Sequence, residues 1–103
     1  MSPEDAGFKY DTGKCRAALP IQDFPRALTA VAWVSTFGAA KYAAHSWKLV
    51  PRAGERYEDA MHRHILAQAA GEVNDPESGL PHAAHIAWNA LALLELQLRK
   101  PTP

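Results

Sequence analysis

Residues 81–99 constrain the fold more than any other stretch. They run from Pro81 to Arg99 without a helix breaker and are apolar on nearly every side. Such a helix must be covered on most of its surface. A helix of that length sets the scale of the domain, and elsewhere no alternation of apolar and polar residues persists long enough to make strands. An all-α fold follows: a small bundle of three main helices. The chain has 103 residues, enough for a single helical domain. Much of its 48% apolar content is alanine, which buries little area. The bundle is therefore expected to be completed by oligomerisation, with part of the core between chains.

Punctuation places the other elements. Residues 1–20 read as an irregular arm, loose over 1–7. Asp11-Thr12-Gly13-Lys14 forms a turn, and Pro20 blocks helix before it. The first helix is expected over residues 23–44, with Asp23 as N-cap and Pro25 just inside. Its inward stripe is Leu28, Val31, Ala32, Ser35 and Ala39, with Trp33 and Phe37 on a second stripe. Gly38 in its middle would let another helix or a ligand approach. The second helix spans residues 55–70, with Tyr57, Met61, His64, Ile65 and Gln68 inward and Gly71 as its stop. The third spans 81–99, with Pro81 in its first turn.

The chemistry concentrates where the third helix begins. The run Asp75-Pro76-Glu77-Ser78-Gly79-Leu80-Pro81-His82-Ala83-Ala84-His85-Ile86-Ala87-Trp88-Asn89 crowds carboxylates, imidazoles and a carboxamide around one turn. At about 100° per residue, His82, His85 and Asn89 share one face with Ile86, Leu93 and Leu96, so the polar trio points inward. Buried polar groups need partners. Glu72 and Asp75 lie just upstream. With His82 and His85 they make an oxygen–nitrogen set suited to a divalent ion such as Mn²⁺, Co²⁺ or Zn²⁺. His64 sits on the apolar stripe of the second helix and joins the same site, whereas His62 lies on the wet face. Glu77, near a helix N-terminus, is accounted for by the helix dipole.

Other residues suit a phosphorylated ligand. Lys14 and Arg16 flank the N-terminal turn, and Lys41 precedes the first connector; such cations can hold a triphosphate. Trp47, Tyr10 and Tyr42 can stack on a base, though core packing is the commoner use of such rings. The pattern Glu55-x-x-Glu58…Glu72-x-x-Asp75 resembles the paired acidic motif of helical pyrophosphohydrolases. Glu55, however, lies roughly 135° from the apolar stripe, so the site belongs to the 75–89 segment instead.

Several functions are excluded. Eleven basic and eleven acidic side chains leave no net charge, which argues against capture of polymeric nucleic acid. No segment is apolar enough to span a membrane. A single cysteine, Cys15, permits no intrachain disulfide and suits a reducing cytoplasm.

Taken together, Lys9 to Lys14, Thr36 to Tyr42 with Trp47, Arg63-His64, Gly71-Glu72 and the segment from Asp75 to Leu93 resemble the phage dATP/dGTP diphosphohydrolase N-terminal domain family. The resemblance implies a MazG-like all-α fold working as a homo-oligomer in the host cytoplasm. It implies a purine deoxynucleoside triphosphate as substrate, cut to monophosphate and pyrophosphate with a divalent ion, Mn²⁺, Co²⁺ or Mg²⁺. Lys41, His64, Glu72, Asp75, His82, His85 and Asn89 are the positions it points to. In this reading Glu72, Asp75, His82 and His85 hold the metal. His64 takes a proton, and Lys41 steadies the leaving pyrophosphate together with Lys14. Arg16, Trp47 and Asn89 contact the nucleotide. The alternative is a phage binding protein that sequesters a nucleotide-derived immune signal without turnover. A purely structural oligomer is the third reading.

Overall fold

The structure is a computed structural model and describes residues 10–99. Residues 1–7, expected from the sequence to be loose, and Lys9 lie outside them. Among the described residues four α-helices form: α1 (Ala18–Asp23), α2 (Pro25–Lys41), α3 (Ala53–Ala69) and α4 (His82–Arg99), with a 3-10 turn at Ser46–Leu49. Among the described residues there is no strand, only an isolated bridge between Asn74 and Pro81. The all-α reading holds. Helix α4 is the centre: it packs along α3 and, less extensively, against α2.

Three sequence expectations change. The arm is not irregular to residue 20, because α1 begins at Ala18 and carries Pro20 in its first turn, where a missing N–H costs nothing. The first long helix does not start at Asp23. Pro25 disfavours helical dihedrals in the residue before it. Phe24 accordingly sits at φ −125°, ψ 42°, closes α1 with its N–H on the Pro20 carbonyl, and leaves Pro25 to open α2. That helix ends at Lys41 rather than 44: Ser46 N–H and Oγ both bond the Ala43 carbonyl in a turn, and His45 takes φ 66°.

The buried stripes are also rotated from those expected. On α2 the buried residue is Val34, flanked by half-buried Val31, Phe37 and Gly38, while Ala32 and Ser35 are exposed. On α3 the half-buried line is Tyr57, Ala60, Met61, His64 and Ala67; Ile65 and Gln68 face outward. Each helix meets α4 along a narrow line, and that line decides which face is covered.

An aromatic junction ties the helices together. Trp47, Tyr57 and Trp88 pack with centroids 5.4–6.2 Å apart. The Tyr57 hydroxyl donates to the Trp47 carbonyl, and Trp88 Nε1 donates to Ser35 Oγ at 3.0 Å. Beyond this, the apolar core among the described residues is thin: Val34, Ala84 and Ala92. Trp33 is 58% exposed, and Leu91, Leu94 and Leu98 are also open to solvent. The radius of gyration is 18.4 Å, against about 13 Å for a compact chain of about 100 residues.

Candidate functional site

The site is built by the way α3 stops and α4 starts. Gly71 at φ 100° lets the chain reverse. Its N–H bonds the Gln68 carbonyl and the Glu72 N–H bonds the Ala67 carbonyl, a Schellman motif that fixes Glu72 just past the helix end. The chain then forms a tight hairpin-like loop. His82 N–H donates to the Val73 carbonyl, Asp75 N–H to the Leu80 carbonyl, and Gly79 N–H to the Asp75 carbonyl, all within 2.8–2.9 Å. Gly79 supplies the positive φ this loop requires, 72°. Pro81 is not inside the first turn of α4 as expected. It precedes it, and its carbonyl receives the N–H groups of Ala84 and His85.

Side chains complete the loop. Asp75 Oδ2 accepts the Ser78 N–H at 3.0 Å, and Ser78 Oγ accepts the Leu80 N–H at 3.1 Å. Ser78 Oγ also lies 2.7 Å from His85 Nε2, which is 3.8 Å from Asp75 Oδ2. From α3, His64 stacks flat on His85, with centroids 4.4 Å apart and planes 7° apart. His64 Nδ1 faces His82 Nδ1 at 2.8 Å. The other nitrogen of His82, Nε2, lies 2.6 Å from Glu72 Oε1. The expected inward trio is confirmed as buried: His82, His85 and Asn89 are 2%, 7% and 4% exposed. Asn89 Nδ2 donates to the His85 carbonyl one turn back, so it braces the helix beneath that imidazole.

The electrostatics favour neutral rings beside a charged carboxylate. Burial, followed by the neighbouring His85 ring, holds His64 below the ordinary imidazole value, with Asp75 pulling the other way. Burial likewise lowers His85 against the pull of Asp75. Burial would raise Asp75, but the Ser78 hydrogen bonds and the facing imidazoles outweigh it, and its carboxyl ends below the usual range.

One ligand atom each from His64, Asp75 and His82 lies within 4.8 Å of the others. Two imidazoles and a carboxylate are a donor set for Mn²⁺, Co²⁺ or Zn²⁺, so the residues fit a divalent ion. The grouping differs from the sequence expectation. His64 stands among the donors, Glu72 lies behind His82, and His85 is engaged by Ser78.

The cluster opens on a groove of about 1460 Å³ between α2, α3 and α4. Lys41 and Trp47 line it, Lys41 held by an ion pair with Glu77 and Trp47 by the aromatic junction. Lys14 and Arg16 are exposed on the N-terminal turn and are not among the groove residues. Glu55 pairs with Arg52 at 3.0 Å, away from the cluster. Two contributors escaped the sequence reading: Glu77, which it gave to the helix dipole, and Ser78. The Ser78-to-His85 spacing of seven residues across a helix start was the available signal for the second. Nothing in the sequence pairs Glu77 with Lys41.

Residues 4–102 match the family described as dATP/dGTP diphosphohydrolase, N-terminal. The chain belongs to that family. A curated relative from Salmonella phage PMBT28, named dATP/dGTP diphosphohydrolase, is 38% identical over 96 residues, 93% of this chain. The chain spans 31% of the length of that relative. No solved structure matches. The resemblance read from Lys9–Lys14, Thr36–Tyr42 with Trp47, Arg63-His64, Gly71-Glu72 and the Asp75–Leu93 segment together is thus the family itself. No described helix is long and apolar enough to cross a membrane.

Proposed function

We propose that this family member hydrolyses dATP and dGTP to the monophosphate and pyrophosphate, with a divalent ion held by His64, Asp75 and His82. The observation that carries the reading is the half-buried cluster of two imidazoles and a carboxylate at the edge of a groove large enough for a nucleotide. The relative's name supplies the substrate class. When bound, the ion would neutralise phosphate charge and lower the pKa of a water.

The chain's own groups supply the rest. Lys41 leaves Glu77 to meet the phosphates, where an ammonium offsets charge on the departing pyrophosphate. His85, neutral and facing Ser78 and Asp75, is placed to accept a proton; His64 was the base in the sequence reading but serves better as a donor to the ion. Trp47 offers a ring at the groove wall for the base. Lys14 and Arg16 have no part in this arrangement. The exposed apolar residues of α2 and α4 are covered by a second copy of the chain, which makes up for the thin core. The reaction belongs to the host cytoplasm, where the deoxynucleotide pool lies.

The test is pyrophosphate release from dATP, dGTP, dCTP and TTP with Mn²⁺, Co²⁺ or Mg²⁺. Purine-selective, metal-dependent release is expected. An intact nucleotide recovered from the denatured protein, with no release under any condition, would overturn hydrolysis in favour of sequestration.

A further inference from the structure

We propose that Glu72 is a positioning residue: it fixes which nitrogens of His82 and His64 carry protons, and so holds two Nδ1 atoms ready to exchange one shared proton for a divalent cation. The inference rests on the metal-site reading above, but half of it can be read without metal.

The argument is a count of protons. Glu72 Oε1 lies 2.6 Å from His82 Nε2. A carboxylate only accepts, so Nε2 carries the hydrogen. A neutral imidazole has one N–H, which leaves His82 Nδ1 as a lone pair. Yet His82 Nδ1 is 2.8 Å from His64 Nδ1. Two lone pairs cannot meet at that distance, so His64 Nδ1 carries the proton between them and His64 Nε2 is bare. The His82 side chain is 3% exposed, so no water competes to reset its tautomer.

This chain of hydrogen bonds has a consequence for an incoming ion. His82 already presents its lone pair and needs no change. His64 must give up its Nδ1 proton to solvent and take one at Nε2, a tautomer change with no net proton released. Glu72 then stands behind a ligating histidine, an arrangement that orients the ring and strengthens it as a ligand. The carboxylate read from the sequence as a ligand acts instead through His82.

The experiment is long-range ¹H–¹⁵N NMR of the histidine rings at pH 8, above the ordinary imidazole value of about 6.5, first in chelator and then with Zn²⁺ alone. In chelator, His82 is expected as the Nε2–H form and His64 as the Nδ1–H form, with exposed His62 as the control. With Zn²⁺, His64 switches to Nε2–H and His82 does not. Glu72→Ala should release the His82 tautomer and weaken Zn²⁺ binding by about 10- to 100-fold in calorimetry. Glu72→Gln, whose amide oxygen accepts the same bond, should keep the tautomer and most of the affinity. His64 found as Nε2–H in chelator, or His82 doubly protonated there, would overturn the proposal. So would an Ala variant with tautomer and affinity unchanged. The expected tautomers without any Zn²⁺ binding would overturn the cation exchange and the metal site while upholding Glu72 as the group that sets the rings. If the Ala variant does not fold, the wild-type spectra and the Gln variant still decide.

Discussion

Lys41 and Glu77, 36 residues apart, form an ion pair that joins the end of α2 to the loop carrying Asp75 and Ser78. The carboxylate raises the Lys41 pKa, chiefly through their hydrogen bond. Both side chains are substantially exposed, at 40% and 57%, so the pair is readily exchanged for another anion. Lys41→Met is expected to weaken nucleotide binding about tenfold, the worth of a charge-assisted bond, with melting unchanged. Glu77→Gln frees the lysine and should leave binding equal or tighter. Equal losses in both variants, measured by calorimetry, would mean that the pair only props the loop.

Asp75 serves both the loop and the donor cluster, and one substitution separates the two uses. Asn at this position keeps an oxygen for the Ser78 N–H but loses the charge. Asp75→Asn should therefore retain helicity and cooperative unfolding by circular dichroism while Mn²⁺ affinity falls by about tenfold or more. A folded variant with unaltered metal affinity would remove Asp75 from the site.

Two glycines should respond in opposite directions. A Cβ would meet nothing within 4 Å at Gly38 or at Gly71, but Gly71 sits at φ 100°. Gly71→Ala is expected to cost about 1–2 kcal/mol from the strained backbone alone. Gly38→Ala, in mid-helix, should gain up to about 1 kcal/mol. Chemical denaturation measures both. A loss at Gly38 would show that another chain approaches that face.

Tyr57 gives a pH signature. Burial raises its hydroxyl above the usual value, while nearby Arg56 opposes. The folded state thus keeps a proton that the unfolded state gives up. The contribution is fully present below about pH 10, the ordinary tyrosine value, and is lost as pH rises through the folded pKa. Melting temperatures of the wild type should fall above that point. Tyr57→Phe starts lower, because its bond to the Trp47 carbonyl is gone, but its curve should be flatter there.

The apolar residues left open on α2 and α4 predict self-association. Light scattering after gel filtration should give the mass of two chains or more. Trp33→Glu, on the exposed face of α2, should shift it towards one. A monomeric wild type would leave Trp33, Leu94 and Leu98 to some other cover.

The sequence was most readable where one residue type answers one local need. Gly71 as a helix stop and the inward spacing of His82, His85 and Asn89 needed no tertiary knowledge. The stripes of α2 and α3 were misjudged because their partner is α4, and the line of contact depends on how the helices cross. Pro25 reads as a residue just inside a helix that begins at Asp23, but its effect on Phe24 ends α1 at Asp23 and makes Pro25 the opening residue of α2. The candidate donors are legible as residue types and not as a set. Whether Glu72 or His64 points at the cluster is decided by the Schellman turn and by the way α3 packs on α4, which no spacing records. The Lys41–Glu77 pair bridges distant elements through freely rotating side chains, and the sequence carries no periodic sign of it.

The polar groups of the cluster all lie between His64 and His85, in one unbroken run made of a helix end, a stapled loop and a helix start. Contacts so close along the chain form quickly. The site can therefore assemble before α2 arrives, and a cation captured at that moment would hold α3 to α4 while the remaining helix is still searching. The ion would then act first as a folding template, holding a scaffold of α3 and α4 against which α2 docks last.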